Sequence, residues 1–186
     1  MKTPIKLLLL FLIISSAAFT IIDNNPALRF IRSLDPDQKS KIMLPFDDDS
    51  KSNWHFIPSS TWERPGLQLG NLRADQKELF FQLLHSALSE KGYSKTTKII
   101  DLENVLLEMS GDSVMRDPDK YYVAIYGNPE VDSLWSWRFE GHHISLNFTI
   151  SNGETSIAPR FLGANPATIP YGPRKGERTL GREEDL

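Results

Sequence analysis

A change of hydrophobic period along the chain limits the folds that it can adopt. Apolar residues recur at helical spacing before residue 110, and extended segments follow residue 120. The strongest helix prediction covers residues 73–91, where apolar side chains form one broad stripe, and Gly92 is expected to end that helix. A second helix is predicted over residues 96–109, with Gly111 after its last turn. The short link between them favours antiparallel packing of the two helices.

The later part of the chain carries the pattern of an antiparallel sheet. Strands are predicted over residues 121–126, 135–139, 143–150 and 155–161. Asn152-Gly153 has the composition of a two-residue hairpin turn between the last two strands. Because helices come early and strands late, the predicted fold class is α+β, with N-terminal helices packed on one face of a mostly antiparallel sheet that has a late β-hairpin.

Shorter elements are predicted between the N-terminus and the long helix. Asp35 is expected to cap a helix that stops before Pro45, and the Leu-x-x-Asp-Gln-Lys pattern around it recurs at residues 72–77, at the start of the long helix. The acidic stretch 47–52 lacks the ligand spacing of a calcium loop and is interpreted as a solvated loop. Residues 53–57 are predicted to form a short strand.

Residues 1–18 have the pattern of a secretory signal peptide. Lys2 and Lys6 precede an apolar run, and small residues follow up to Ala18. The run is short for a bilayer span, so no stable membrane span is expected after cleavage, and an uncleaved anchor is the alternative. Residues 19–186 are then expected to form a single α+β domain of an exported protein, periplasmic or extracellular.

Composition excludes several classes of chemistry. The 186 residues include no cysteine, which excludes disulfides, thiolate nucleophiles and cysteine-ligated zinc. The net charge is −3, so the chain lacks the basic footprint of a nucleic-acid-binding protein.

The run Glu140-Gly-His-His143 is the main candidate for chemistry. His142 is predicted as a catalytic acid–base residue, with Glu140 and Arg138 beside it on one strand face. A bulge at Gly141 would change that phase. His142, Glu140 and His55 form a possible ligand set for a divalent metal. The structural alternative is a Glu–Arg pair and a hydrogen-bonded histidine that serve packing alone.

Aromatic and polar residues around this run form the predicted ligand-binding set. The aromatic rings suit a small-molecule, sugar or peptide ligand, although tryptophans that simply fill the core are the alternative. A turn at residues 161–166 is expected to bring two further polar residues to the end of the sheet. The predicted ligand-binding residues are His143, Trp135, Trp137, Asn147, His55, Trp54, Arg160 and Asn165.

Several segments together resemble an uncharacterised bacterial family, the domain of unknown function 3500. They include residues 137–147, residues 159–166, Arg64-Pro-Gly66 and residues 121–127. The resemblance implies an exported protein and brings no assigned activity. Since members of that family usually continue well beyond the equivalent of Glu184, it also implies that a C-terminal part is missing from this chain.

Two functions therefore remain open from the sequence. The first is an exported protein that binds a ligand at an aromatic, histidine-lined face of the sheet. The second is a periplasmic or secreted hydrolase, metal-dependent or not, that uses the Glu-Gly-His-His run.

Overall fold

The computed structural model describes residues 24–186, and the predicted signal peptide lies outside the described residues. The described chain contains five α-helices and six strands. The helices are α1 (Pro26–Ser33), α2 (Pro36–Ile42), α3 (Ala74–Ala87), α4 (Glu90–Ser110) and α5 (Gly181–Glu184). The strands are β1 (Met43–Leu44), β2 (Leu67–Gln68), β3 (Tyr122–Tyr126), β4 (Leu134–Gly141), β5 (Ile144–Ser151) and β6 (Glu154–Leu162). Within residues 24–186, none of the helices has the length and apolar character that crossing a membrane requires.

The first helices begin at side-chain caps. The side chain of Asp35 accepts a hydrogen bond from the backbone N–H of Gln38, and the side-chain oxygen of Gln38 accepts one from the backbone N–H of Asp35. The predicted start of α2 is thereby confirmed. Gln76 occupies the matching position of α3, and the two glutamine amides hydrogen bond each other at 2.7 and 3.0 Å. The repeated Leu-x-x-Asp-Gln-Lys pattern thus joins two helix starts through a buried amide pair.

The break between α3 and α4 was wrongly placed by the sequence pattern. The structure ends α3 at Ala87, and Gly92 lies inside the first turn of α4. Ser89 causes this, because its hydroxyl caps α4 by accepting a hydrogen bond from the Gly92 N–H. The main helical partner of α3 is α1 rather than α4. The predicted end of α4 is confirmed, since Gly111 follows with φ of +69°.

The six strands form a mostly antiparallel sheet, which confirms the predicted α+β class. The strand order is β1-β3-β4-β5-β6, and β2 also pairs with β3. The two short strands share one edge of β3, where β1 runs parallel and β2 antiparallel. Consecutive antiparallel pairing joins β3, β4, β5 and β6.

Two tight turns connect the last three strands. Asn152 and Gly153 both have positive φ, 49° and 85°, as the predicted hairpin turn requires. The other turn is formed by His142 and His143, since Gly141 pairs with Ile144. His143 was therefore wrongly predicted to lie within a strand. It occupies the turn with φ of +60°, a conformation that few side chains adopt.

The sheet has an apolar and a polar face. Strand alternation places Trp137, Phe139, Leu146 and Phe148 in the core, which the helices cover. The opposite face carries buried polar side chains: Ser136, Arg138, Glu140 and Ser145. The segment of residues 46–65 lies over this polar face.

Candidate functional site

A buried ion pair between Arg64 and Glu140 lies at the centre of the polar face. The Nε of Arg64 donates to Oε1 of Glu140 at 2.8 Å, and both side chains are 1% exposed. Arg138 approaches the other carboxylate oxygen at 3.5 Å, and the hydroxyl of Ser145 donates to it at 3.3 Å. Burial raises the pKa of the Glu140 carboxyl, while Arg138 and Arg64 act in the opposite direction. Glu140 therefore stabilises two buried cations and is enclosed by them.

The same two arginines, Arg64 and Arg138, also hold residues 46–65, which we call the covering segment, through its carbonyl groups. Arg64 donates to the carbonyl of Ile57 at 2.7 Å and to that of His55 at 3.3 Å. Arg138 donates to the carbonyls of Asn53, Ser50 and Lys51. These bonds explain why residues 53–57 are not a strand, contrary to the prediction. The carbonyls of Asn53, His55 and Ile57 bond to guanidinium groups, and that of Phe56 accepts from the N–H of His143 in the β4–β5 turn.

A cavity of about 460 Å³ lies between the polar face and residues 46–52, and we call it the loop–sheet cavity. Its floor includes Ser136, Arg138, Asn147 and Thr149, and residues 46–52 form the opposite wall. The predicted solvated loop is therefore partly wrong. It contains a short 3-10 helix and encloses a concave space on the sheet.

The loop wall of the cavity combines acidic and aromatic groups. Asp47 and Asp49 are exposed at this wall, and the Lys51 ammonium lies 3.2 Å from the centre of the Phe46 ring. Burial lowers the pKa of Lys51, while the charge of Asp47 acts in the opposite direction. Tyr126 adds a phenol on the sheet side.

Two buried serines on the polar face differ in their hydrogen bonding. Ser145 donates to Glu140 and accepts from the Asn147 amide, each at 3.3 Å. Ser136, which is 4% exposed, has no hydrogen-bond partner for its hydroxyl among the described residues. A buried hydroxyl without a partner destabilises the protein.

His142 is paired with Glu103, not with Glu140. Its Nδ1 forms a short contact with the carboxylate of Glu103, which is a buried residue of α4. Arg116 lies 3.5 Å from the same nitrogen. The prediction that Glu140 is the carboxylate partner of His142 is wrong, because the turn moves His142 off the strand face that Glu140 occupies.

His143 and Gly141 show how tightly this turn is packed. A Cβ on Gly141 would lie 2.2 Å from the Tyr121 ring, so only glycine fits there. The Tyr121 hydroxyl donates to the carbonyl of His142 at 2.9 Å. Burial, assisted by the charges of His142 and Arg116, lowers the pKa of His143 to about 4. The His143 ring is therefore neutral at physiological pH.

The predicted metal set does not come together in the structure. Glu140 bonds to Arg64, and His142 bonds to Glu103. The Nδ1 of His55 accepts hydrogen bonds from the backbone of Phe56 and Ile57. Between residues 24 and 186, no three His, Asp or Glu side chains are grouped as metal ligands would be.

The predicted ligand-binding residues lie in several places. Trp135 and Trp137 are buried; Trp137 stacks on Phe148 and also contributes to the lining of the loop–sheet cavity. Asn147 lines the loop–sheet cavity together with Arg138 of the predicted catalytic set.

The remaining predicted ligand-binding residues lie on the covering segment and near the end of the sheet. Trp54 and His55 are half-buried, and the Trp62 ring lies tilted against the His55 ring with centroids 4.8 Å apart. Arg160 is exposed on β6, and Asn165 follows the sheet. Residues 161 and 162, which were predicted to begin a turn, are the end of β6, and the Gly163 N–H donates to the carbonyl of His143.

Three important residues were missed by sequence reasoning. Arg64, Glu103 and Ser136 lie far apart in the sequence, in an irregular segment, a helix and a strand. The only available signal was a charged residue at a core position, as for Glu103 on the buried face of α4. No spacing rule links such residues to their partners.

The fold and site define an α+β protein with a polar sheet face enclosed by a loop. Residues 24–186 match the family described as "Protein of unknown function (DUF3500)". The chain belongs to this family, which confirms the resemblance found in the sequence. No curated protein and no solved structure shows significant similarity to the chain.

Proposed function

We propose that the protein binds a small polar ligand, such as a sugar or a peptide unit, in the loop–sheet cavity. The cavity volume of about 460 Å³ suits a ligand of that size. Phe46 and Tyr126 supply apolar contact, and Asn147 and Thr149 supply hydrogen-bonding groups.

The composition of the cavity is the observation that carries this proposal, because aromatic rings, an amide and hydroxyl groups line one concave space on the polar face. Ser136 contributes to the cavity wall, and its Oγ is buried without a partner among residues 24–186. Because this oxygen is fully buried, Ser136 shapes the wall, and the half-buried side chains of Asn147 and Thr149 supply the polar groups that a ligand can contact.

The charges of the cavity favour a neutral ligand. Arg138 already makes four hydrogen bonds, to Asn147 and to loop carbonyls, so its guanidinium is not free to hold an anion. Asp47 and Asp49 repel anions at the loop wall. The Lys51 ammonium already lies over one face of the Phe46 ring. Hydroxyl and amide groups pair with either charge, as sugars and peptides do.

Ligand binding is tested by a thermal-shift screen of neutral monosaccharides, disaccharides and dipeptides. A true ligand at one hundred times its Kd stabilises the protein by about 2.7 kcal/mol. Ser136→Leu fills the cavity and is expected to abolish this stabilisation. Ser151→Leu is the matched control, since Ser151 is an exposed strand serine outside the cavity. A compound that stabilises wild type and Ser136→Leu equally contradicts this site.

We also propose that the chain is exported through residues 1–18, with the periplasm or the medium as its location. The charged end, apolar run and small residues of this segment support export. Fractionation of bacteria that express the full chain, followed by N-terminal sequencing, is expected to find a mature protein that begins at Phe19. A cytoplasmic protein that retains residues 1–18 contradicts export.

A further inference from the structure

A second cavity lies between the helices and the sheet, near the Asn152-Gly153 turn. Its volume is about 400 Å³, and we call it the α1–α3 groove. Its apolar lining residues are Pro26, Ala27, Leu83, Ala87, Trp135, Trp137 and Ile150. Of these residues, only Trp137 also lines the loop–sheet cavity. Apart from this shared tryptophan, the groove is therefore distinct from the ligand site proposed above.

The described chain enters the fold at the rim of this groove. Asn25 caps α1 by accepting hydrogen bonds from the backbone N–H groups of Ala27 and Leu28, at 3.0 and 3.4 Å. Both Asn25 and Pro26 line the groove. Residues 19–23 lie outside the described residues, and they directly precede the start of α1 in the sequence. The chain before α1 therefore starts from the edge of the groove itself.

The segment of residues 19–23 is short and mostly apolar. Its sequence is Phe-Thr-Ile-Ile-Asp. An extended chain spans at most about 3.6 Å per residue, so Ile22 lies within about 11 Å of Asn25 and Phe19 within about 22 Å. Moving such side chains from water to an apolar surface is favourable, and the covalent link keeps their effective concentration at the groove high. This link favours the chain's own segment over a separate molecule as the occupant.

The charge of the groove also fits the start of a mature chain. Among the described residues that line the groove, Asp132 is the one with an ionisable side chain. Its Oδ2 accepts a hydrogen bond from the Asn128 N–H at 2.7 Å, which orients the carboxylate, and the residue is exposed to solvent. Cleavage after Ala18 gives Phe19 a positively charged α-amino group. The carboxylate attracts this group, so the groove offers a partner for the apolar side chains and for the new terminus.

We propose that residues 19–22 of the mature chain dock in the α1–α3 groove, with the α-amino group of Phe19 beside Asp132. Alternate side chains of an extended segment point the same way, so Phe19 and Ile21 face the groove together and lie against Trp135. This docking depends on the signal cleavage proposed above, because an intact signal peptide leaves no α-amino group at Phe19. Docking joins α1 and α3 to the ends of β4 and β5, so removal of the signal peptide completes the fold.

The first test measures urea unfolding of the chain that begins at Phe19, released from a fusion by a protease that leaves no extra residue. Ile21→Ser is expected to raise the unfolding equilibrium constant about tenfold or more, because an aliphatic side chain is lost from the groove. Val114→Ser is the matched control, since Val114 is 70% exposed, and it is expected to change this constant by less than about twofold. An effect of Ile21→Ser no larger than that of Val114→Ser overturns the docking.

The second test locates the segment in the wild-type protein and so does not depend on a variant folding. Nuclear Overhauser effects between the Ile21 methyl groups and the Trp135 indole are expected within one chain. Their absence overturns the docking. A sample that mixes labelled and unlabelled protein separates contacts within one chain from contacts between chains. Contacts between chains would place a second copy in the groove and would also overturn it.

The third test concerns the charge at the rim. Asp132→Asn keeps a side-chain acceptor for the Asn128 N–H and removes the negative charge. The pKa of the Phe19 α-amino group, measured by ¹⁵N NMR, is expected to be higher in wild type than in this variant, because a nearby carboxylate stabilises the ammonium form. Equal pKa values contradict the proposed position of the terminus.

The samples for these tests begin at Phe19 whether or not bacteria export the chain. Failure of the docking therefore leaves the proposed export intact, and N-terminal sequencing of the exported protein tests export by itself. The tests also use no ligand, so their outcome does not decide whether the loop–sheet cavity binds one.

Discussion

Replacing the hydroxyl of Ser136 is expected to make the free protein more stable. Ser136→Ala removes a buried Oγ that has no partner within residues 24–186, in a side chain that is 4% exposed. An unsatisfied buried polar group costs about 1–3 kcal/mol. Alanine leaves only a small void next to an existing cavity. We therefore expect the free energy of unfolding to rise by about 1 kcal/mol and Tm by about 2–4 °C.

Ser145→Ala is the matched comparison, because Ser145 is buried on the same polar face in the next strand. Its hydroxyl bonds to Glu140 and to the Asn147 amide, each at 3.3 Å. Removing these bonds, one of them to a charged group, is expected to cost about 1–2 kcal/mol. Two chemically identical substitutions thus shift stability in opposite directions.

Urea unfolding followed by circular dichroism measures both variants against wild type at one pH. Unchanged m-values would show that the same surface unfolds in each case. A loss of 1 kcal/mol or more in Ser136→Ala would show that the Ser136 hydroxyl is already satisfied in the free protein.

Three further substitutions test the network around the site. Glu140→Ala leaves Arg64 buried without its counter-charge and is expected to cost about 3–5 kcal/mol in urea unfolding; a loss below 1 kcal/mol contradicts the buried pair. Gly141→Ala forces a Cβ into the Tyr121 ring, and a loss of about 1–3 kcal/mol is expected, whereas unchanged stability refutes that close packing. The pKa of His143 falls from 6.5 to about 4 on folding, so the unfolded chain binds more protons between these values. Stability is therefore expected to be full above pH 6.5 and to fall, by up to about 3 kcal/mol, as the pH drops to 4. Replacing His143 by asparagine, which tolerates positive φ, should weaken this pH dependence, and an unchanged dependence assigns it to other groups.

Local signals in the sequence predicted much of the fold. The alternation of residues 143–150 and the Asn152-Gly153 pair predict a hairpin, because Asn-Gly favours a two-residue turn in which both residues have positive φ. Asp35 before a proline defines a helix start in the same way. These features depend on neighbouring residues, so one sequence is enough to find them.

Competing local signals caused the errors. Gly92 resembles a helix end, but Ser89 three residues earlier caps a new helix, and that hydrogen bond decides the boundary. His143 was predicted to start a strand, but Gly141 pairs with Ile144, so that His142 and His143 form the turn between β4 and β5.

The candidate site was predictable only in part, because its partners are distant in sequence. The sequence singled out Glu140 and His142, and both are buried polar groups with charged partners. Their partners, Arg64 and Glu103, lie 76 and 39 residues away. These pairs depend on how the covering segment and α4 pack on the sheet. The spacing of apolar residues along the chain does not determine that packing.

The central claim is that the space between residues 46–52 and the polar sheet face is a ligand site. The most direct test is a two-dimensional NMR titration of the mature protein with the sugars and dipeptides that raise its Tm. Binding at this site is expected to shift the amide signals of Ser136, Thr149 and residues 46–52 together, in a saturable manner. If the panel contains no binding compound, or if the shifted signals come from other surfaces, the claim is contradicted.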